Sequence, residues 1–213
     1  PGDRVTVQAE KCPAWLWLYL GCLQSGAVFH PLNDDYQPAE LAWFLADARP
    51  ALVVCSPDRR DLFMGLARDL PARVESLAGD GGGTLPGAWR DATVGAPVHH
   101  GSASPGAGTV PRERDDVAVL LYSSGTTGRP KGALITHGNL VSNARTLVAA
   151  WAFTPADCLL HALPVYHAHG LFVGVGCTLM SGARMIFLPR FDAGEVVSHL
   201  PAATVFMGGP THY

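Results

Sequence analysis

Between Arg4 and Ser56 the sequence switches back and forth between two periodicities, and this restricts the fold more than any other feature of the chain. RVTVQAE alternates its valines as a strand does. PAWLWLYLGCLQSG then repeats apolar residues at helical spacing: Trp15, Leu18, Tyr19 and Cys22 share a face, Pro13 suits the first turn and Gly26 stops the helix. AVFHPL is a second strand. QPAELAWFLADARP is a second helix, bounded by Pro38 and Pro50, with Leu41, Phe44, Leu45 and Ala48 turned inward, and ALVVCS is a buried third strand. Strand, helix, strand, helix, strand is the signal of a parallel sheet covered by helices, so the expected class is α/β, with parallel or mixed sheets flanked by helices.

The pattern fades from 79 to 112, where Gly81 to Gly83 and GAPVHHGSASPGAGTVP hold little apolar periodicity and much Gly, Pro and Ser. This stretch is expected to be a linker or long surface loop. His99 and His100 lie inside it, and two adjacent histidines in such a polar stretch are read as solvated rather than as a metal pair. On this division residues 1–78 form a first α/β unit and 113–213 a second. In the second, VAVLLYS is a buried strand, GNLVSNARTLVAAW sets Leu140, Val141, Ala144, Leu147, Val148 and Trp151 at helical spacing, and RMIFL and ATVFM are further strands. The chain opens at Pro1 and stops just after a strand-like run, so it is expected to be a piece of a longer protein.

Composition removes several functions. With 213 residues, 48% of them hydrophobic, the chain can bury a real core. A net charge of −3 offers no footprint for nucleic acid or an anionic membrane. The five cysteines are odd in number and scattered without a CxxC pair, which points to reduced thiols and a cytoplasmic location. No apolar run reaches the roughly 18 residues that span a bilayer.

The chemistry concentrates in LLYSSGTTGRPKG, directly after the strand over 117–122. Glycines let backbone N–H groups approach a ligand without a Cβ in the way, the hydroxyls of Ser123, Ser124, Thr126 and Thr127 can donate to phosphate oxygens, and Lys131 adds a mobile charge. A Walker-type loop requires Gly-Lys-Ser/Thr, but Pro130 and Gly132 flank Lys131. A GxGxxG dinucleotide fingerprint is also missing, since Gly174 and Gly176 lack a third glycine. The bland alternative is a surface turn rich in Gly and Thr.

YSSGTTGRPKG resembles the phosphate-binding signature of the adenylate-forming superfamily, the acyl-CoA synthetases and their relatives, with Ser123 where Thr is the commonest residue. GDRVTVQAEKCPAWLWLYLGCLQSGAVFHPLN, THGNL and LPVYHAHGL resemble other segments of that family in the right order. HALPVYHAHGLFVG, GARMIFLPRFDAGEVV and TVFMGGPTHY look most like the malonyl-CoA synthetases. The resemblance implies part of the large N-terminal domain of such an enzyme, without its C-terminal domain. It also implies a two-step reaction in which a small carboxylic acid and ATP give an acyl-adenylate, from which coenzyme A displaces AMP.

By this resemblance Ser123, Ser124, Gly125, Thr126, Thr127, Gly128 and Lys131 hold the ATP phosphates with Mg²⁺. His167 is the catalytic candidate beside the acyl pocket, and His169, Met207 and Gly208 contact the acid. The family's ribose-binding acidic residue, metal-binding glutamate and C-terminal lysine have no counterpart, so this chain alone is expected not to turn over. Three rivals remain: a synthetase for a short-chain, fatty or aryl acid, a non-catalytic nucleotide-binding domain, and a metal hydrolase built on His167 and His169. The last rests on an HxH at a strand end, which would put two imidazoles on one face, but no third or fourth ligand accompanies it.

Overall fold

The computed structural model describes residues 1–87, 109–123 and 130–209. His99 and His100, with most of the expected 79–112 loop, lie outside them. The chain divides into two compact units, the first made of Pro1–Arg112 and Val117–Leu134, the second of Glu113–Asp116 and Ile135–Tyr213.

The first unit is built on strands β1 (Arg4–Gln8), β2 (Val28–Pro31), β3 (Leu52–Cys55), β4 (Arg73–Ser76), β5 (Val117–Ser123) and β6 (Lys131–Thr136), in the sheet order β4-β3-β1-β2-β5-β6. The pairs β1 with β2, β1 with β3, β2 with β5 and β3 with β4 are all parallel. Helices α1 (Pro13–Ser25), α2 (Pro38–Ala48) and α3 (Arg60–Leu66) make the crossovers that parallel neighbours require. In α1 the buried residues are Trp15, Leu18, Tyr19 and Cys22, and in α2 they are Leu41, Phe44, Leu45 and Ala48, the same eight that the helical spacing selects. Gly26 ends α1 at φ +74°, the left-handed position that glycine takes without a steric cost. Phe29 of β2 is fully buried, with Trp15 edge-on at 4.9 Å and Tyr19 at 5.2 Å.

The carboxyl edge of this sheet is tied together by one guanidinium. Arg59 donates to Gln8 Oε1 at 2.7 Å, to the carbonyl of Asp34 at 3.0 Å and to that of Tyr36 at 3.2 Å, so the loops that leave β2 and β3 are clamped to the end of β1. Gln8 in turn donates to the carbonyl of Asn33 at 2.6 Å.

Strand β5 pairs with β2 through Phe29 and Val119 and therefore belongs to the first sheet. The expected second unit beginning at 113 differs from this packing: hydrogen bonding across the sheet, which sequence periodicity does not encode, assigns the strand before the glycine-hydroxyl segment. The sequence reading also passes over α3 and β4, which are short.

The second unit has a parallel three-stranded sheet, β8-β7-β9, of β7 (Cys158–His161), β8 (Arg184–Phe187) and β9 (Val205–Phe206). Its helices are α4 (His137–Ala150), α5 (Gly176–Ser181) and α6 (Ala193–His199), with a π-helical segment over His169–Val175. Leu160, Ala162, Leu188 and Val196 form a core against Ile186, Phe191, Ala203 and Phe206. In α4 only Ala144 is fully buried, while Trp151 is 51% exposed, so the apolar spacing identifies the helix but not the width of its packed face. All five cysteines are buried free thiols, and among the described residues no helix is long and apolar enough to cross a membrane.

His30 makes the first unit sensitive to acid. Its ring is fully buried, its Nδ1 lies 2.9 Å from Thr6 Oγ1, and its Nε2 has no hydrogen-bonding partner among the described residues. Burial lowers its pKa to about 3, against a smaller opposing effect of Asp47. A folded pKa below the unfolded value of about 6.5 means that protons favour the unfolded chain. Stability is therefore full above that pH and falls by up to about 1.4 kcal/mol per pH unit as pH drops toward 3. Urea unfolding at pH 7.5 and pH 5 should show a loss of roughly 2 kcal/mol in the native chain and a smaller one in His30→Asn; equal losses would remove His30 as the cause.

Candidate active site

Ser123 closes β5 and Lys131 opens β6, and the Ser123 hydroxyl donates to the Lys131 carbonyl at 3.5 Å. The two ends of the glycine-hydroxyl segment thus lie side by side. β5 is held by the buried Ala118, Val119 and Leu120, and Gly132 leaves room for its neighbours, since a Cβ there would sit 3.0 Å from Leu120 and 3.3 Å from the Tyr122 ring. Lys131 is exposed. Ser124, Gly125, Thr126, Thr127 and Gly128 lie outside the described residues.

Many phosphate loops deliver the ligand to the N-terminus of the following helix. Here that end is occupied from within. Thr136 and Asn139 form a reciprocal capping box, with Asn139 N donating to Thr136 Oγ1 at 3.1 Å and Thr136 N to Asn139 Oδ1 at 3.0 Å. His137 N donates to the Asp116 carbonyl at 3.0 Å and Gly138 N to that of Arg114 at 2.7 Å. The first three N–H groups of α4 are therefore spent, and any phosphate binding falls on the loop itself.

In the second unit the site is organised by His161, the last residue of β7. It is 1% exposed, and its Nε2 is 2.9 Å from the carbonyl of Gly170. The ring also presses on the π-helical segment, because a Cβ at Gly174 would stand 2.9 Å from it. At Gly170 a Cβ would come within 2.0 Å of the Pro164 carbonyl, so only glycine lets the chain fold back on itself there. These two close approaches set the turn that carries His167 and His169. Both are exposed, and the Tyr166 ring stands edge-on to His167 at 4.6 Å. Partial desolvation lowers the pKa of His167 below the usual histidine value, which favours the neutral ring.

The expectation of an HxH at a strand end is corrected. β7 stops at His161, His167 lies in a bend and His169 opens the π-helical segment, because Gly170 and Gly174 permit a tight helical return where an extended strand would continue. Among the described residues no group of three His, Cys, Asp or Glu could hold a metal ion.

Beside this turn is a cavity of about 220 Å³, lined by Ile135 from the end of β6, Asn139, Leu140 and Asn143 from α4, and Ala168, Phe172 and Val173. Ala168 stands between the two histidines in the chain. Met207 and Gly208 follow β9 and are half-buried, at the same carboxyl edge of the sheet from which the Ala162–His169 segment leaves β7, but they do not line this cavity. The sequence reading missed Asn139 and Asn143. Their one signal was two carboxamides four residues apart on a helix.

The AMP-binding enzyme family matches residues 1–213. The chain belongs to that family. It is 37% identical to the mitochondrial malonate–CoA ligase of Mus musculus over 99% of this chain and 35% of that protein. It is 34% identical to the feruloyl-CoA synthase of an Amycolatopsis species over 100% of this chain and 40% of that protein. Among solved structures, ATP-bound MatB from Rhodopseudomonas palustris superimposes with a TM-score of 0.89 at 46% identity, over 100% of this chain and 40% of that one. The chain thus spans little more than a third of the length of the relatives it matches.

The backbone approach at Gly170 leads to a direct test. Gly170→Ala must displace the Pro164 carbonyl and should cost about 1–3 kcal/mol in chemical denaturation, with the His161 ring resonances shifted. Gly21→Ala, within α1 and with open space at the Cβ, should stabilise by up to about 1 kcal/mol. Equal tolerance of both changes would contradict the packing described.

Proposed function

We propose that the chain forms part of an ATP-dependent acid–thiol ligase that acts on a small dicarboxylic acid, malonate or methylmalonate. The acid's carboxylate attacks the α-phosphate of ATP, a P–O bond forms as pyrophosphate leaves, and the thiol of coenzyme A then attacks the acyl carbon and releases AMP. The observation that carries this proposal is the likeness to a malonate–CoA ligase over 99% of the chain.

In this proposal Ser123, Ser124, Gly125, Thr126, Thr127, Gly128 and Lys131 hold the β- and γ-phosphates, and Lys131 offsets the charge that builds on the leaving pyrophosphate. Mg²⁺ enters with ATP as its phosphate complex. Neutral His167 orients the acid carboxylate by hydrogen bonding, while His169, Met207 and Gly208 border the acyl group, whose tail occupies the cavity. The five buried free thiols suit a reducing compartment, which we take to be the cytoplasm. Turnover is not expected from the 213 residues alone.

One observation favours a different acid. Five of the seven cavity side chains are apolar, which would also suit an aryl acid such as that named for the feruloyl relative. Replacing the matching segment of MatB by these 213 residues separates the two. The chimera should catalyse ATP–pyrophosphate exchange with malonate or methylmalonate at least about tenfold faster than with ferulate. Exchange with ferulate alone would establish the aryl reading. A folded chimera that binds ATP but exchanges with no acid would overturn the ligase assignment.

A further inference from the structure

The two ends of the glycine-hydroxyl segment hold each other weakly. The Ser123 hydroxyl reaches the Lys131 carbonyl at 3.5 Å, the long limit of a hydrogen bond, and both residues are exposed, so their placement falls to what packs behind them. Tyr122 fills that place. It stands directly before Ser123 in β5, and its half-buried ring meets residues of α2 and β2: Phe44 edge-on at 4.8 Å, Trp43 edge-on at 5.4 Å and His30 tilted at 5.2 Å. The ring also lies against β6, because a Cβ at Gly132, the neighbour of Lys131, would come within 3.3 Å of it. One side chain therefore links the strands at both ends of the segment to the helix behind them. Its hydroxyl donates to Asp47 Oδ2 of α2. Asp47 is itself out of place by local rules. It is exposed in the last turn of α2, where the helix dipole disfavours a carboxylate, and that turn carries no basic residue to offset it. Burial, and then the Asp47 carboxylate, hold the Tyr122 hydroxyl well above the usual tyrosine range, so it remains a donor at neutral pH.

We propose that Tyr122 and Asp47 are a positioning pair for the phosphate site. Their hydrogen bond pins the carboxyl end of β5 to α2 and, through the ring against Gly132, the start of β6, and so fixes where Ser123 and Lys131 present a hydroxyl and an ammonium group to a polyphosphate. This rests on the reading of Ser123 and Lys131 as phosphate ligands. Neither Tyr122 nor Asp47 touches the nucleotide. The physical basis is preorganisation. A charge-assisted hydrogen bond made before the ligand arrives removes ordering that binding would otherwise have to supply, and a ligand group held on a fixed strand end meets the phosphate without first giving up its freedom.

Calorimetry of Mg·ATP binding to the full chain, with thermal unfolding of each variant alongside, tests this. Tyr122→Phe keeps the ring and its aromatic neighbours and removes the hydroxyl, and it should weaken Mg·ATP about three- to tenfold. Asp47→Ala should do the same, and the double variant should lose no more than either single one, because both changes break one bond. Asp47→Asn, which keeps an acceptor oxygen, should restore near-native affinity. Val74→Ala separates positioning from stability: Val74 is buried in β4, at the opposite edge of the same sheet, and its truncation should lower the melting temperature without changing affinity. Native affinity in folded Tyr122→Phe, or an equal loss of affinity in Val74→Ala, overturns the role of Tyr122 and Asp47 alone. Failure of the folded native chain to bind Mg·ATP overturns the reading of Ser123 and Lys131 as phosphate ligands, and the positioning pair falls with it.

Discussion

Parallel pairing is the constraint on which the arrangement of both units depends. Every strand pair with a resolved register, in either sheet, is parallel, so within each sheet all those strands end at one edge. A parallel connection cannot be a tight hairpin. It must cross over, and the segments that leave the carboxyl ends are free to carry chemistry while the crossovers bury the core. In the first unit that edge receives Ser123 at the end of β5. In the second it receives the Ala162–His169 segment after β7, together with Met207 and Gly208 after β9.

Close contacts then shape what the topology delivers. At the first sheet's edge Arg59 spends its donors on Gln8 and on two loop carbonyls, which makes it a structural clamp. At the second, buried His161 accepts the close approach of Gly170 and Gly174 and so converts a strand exit into a π-helical turn, a departure from regular helix that recurs at functional sites. The capping box of α4 completes the set. Together with the carbonyls of Arg114 and Asp116 it uses the N–H groups that would otherwise attract an anion and, through Asn139, fixes part of the cavity wall.

Much of this was legible in the sequence where periodicity and burial coincide. The inward faces of α1 and α2 were read residue by residue, because both helices lie on a sheet that buries one stripe of each. The strand before the glycine-hydroxyl segment was legible as a strand, but its sheet was not, since partner choice depends on residues 90 positions away in the chain, as in Phe29 and Val119. The turn at His167 and His169 departs from the strand end that a metal site would need, and the sequence does not reveal it because glycines that relieve a backbone clash look the same there as glycines in a loop. Asn139 and Asn143 were passed over because a carboxamide on a helix has no meaning until a cavity is seen beside it. Ser123 and Lys131 were legible as phosphate-binding candidates from residue chemistry together with the family resemblance, and the structure adds that they bracket the segment from adjacent strand ends.

The central claim is that the segment from Ser123 to Lys131 cradles the phosphates of a nucleotide. The most direct test is calorimetry of Mg·ATP binding to this chain and to a Thr127→Ala, Lys131→Ala variant shown by circular dichroism to be folded. Measurable binding by the native chain, weakened by about ten- to a hundredfold in the variant, is the result this account predicts. Equal affinity in the two folded proteins would contradict it, because the nucleotide would then be held elsewhere.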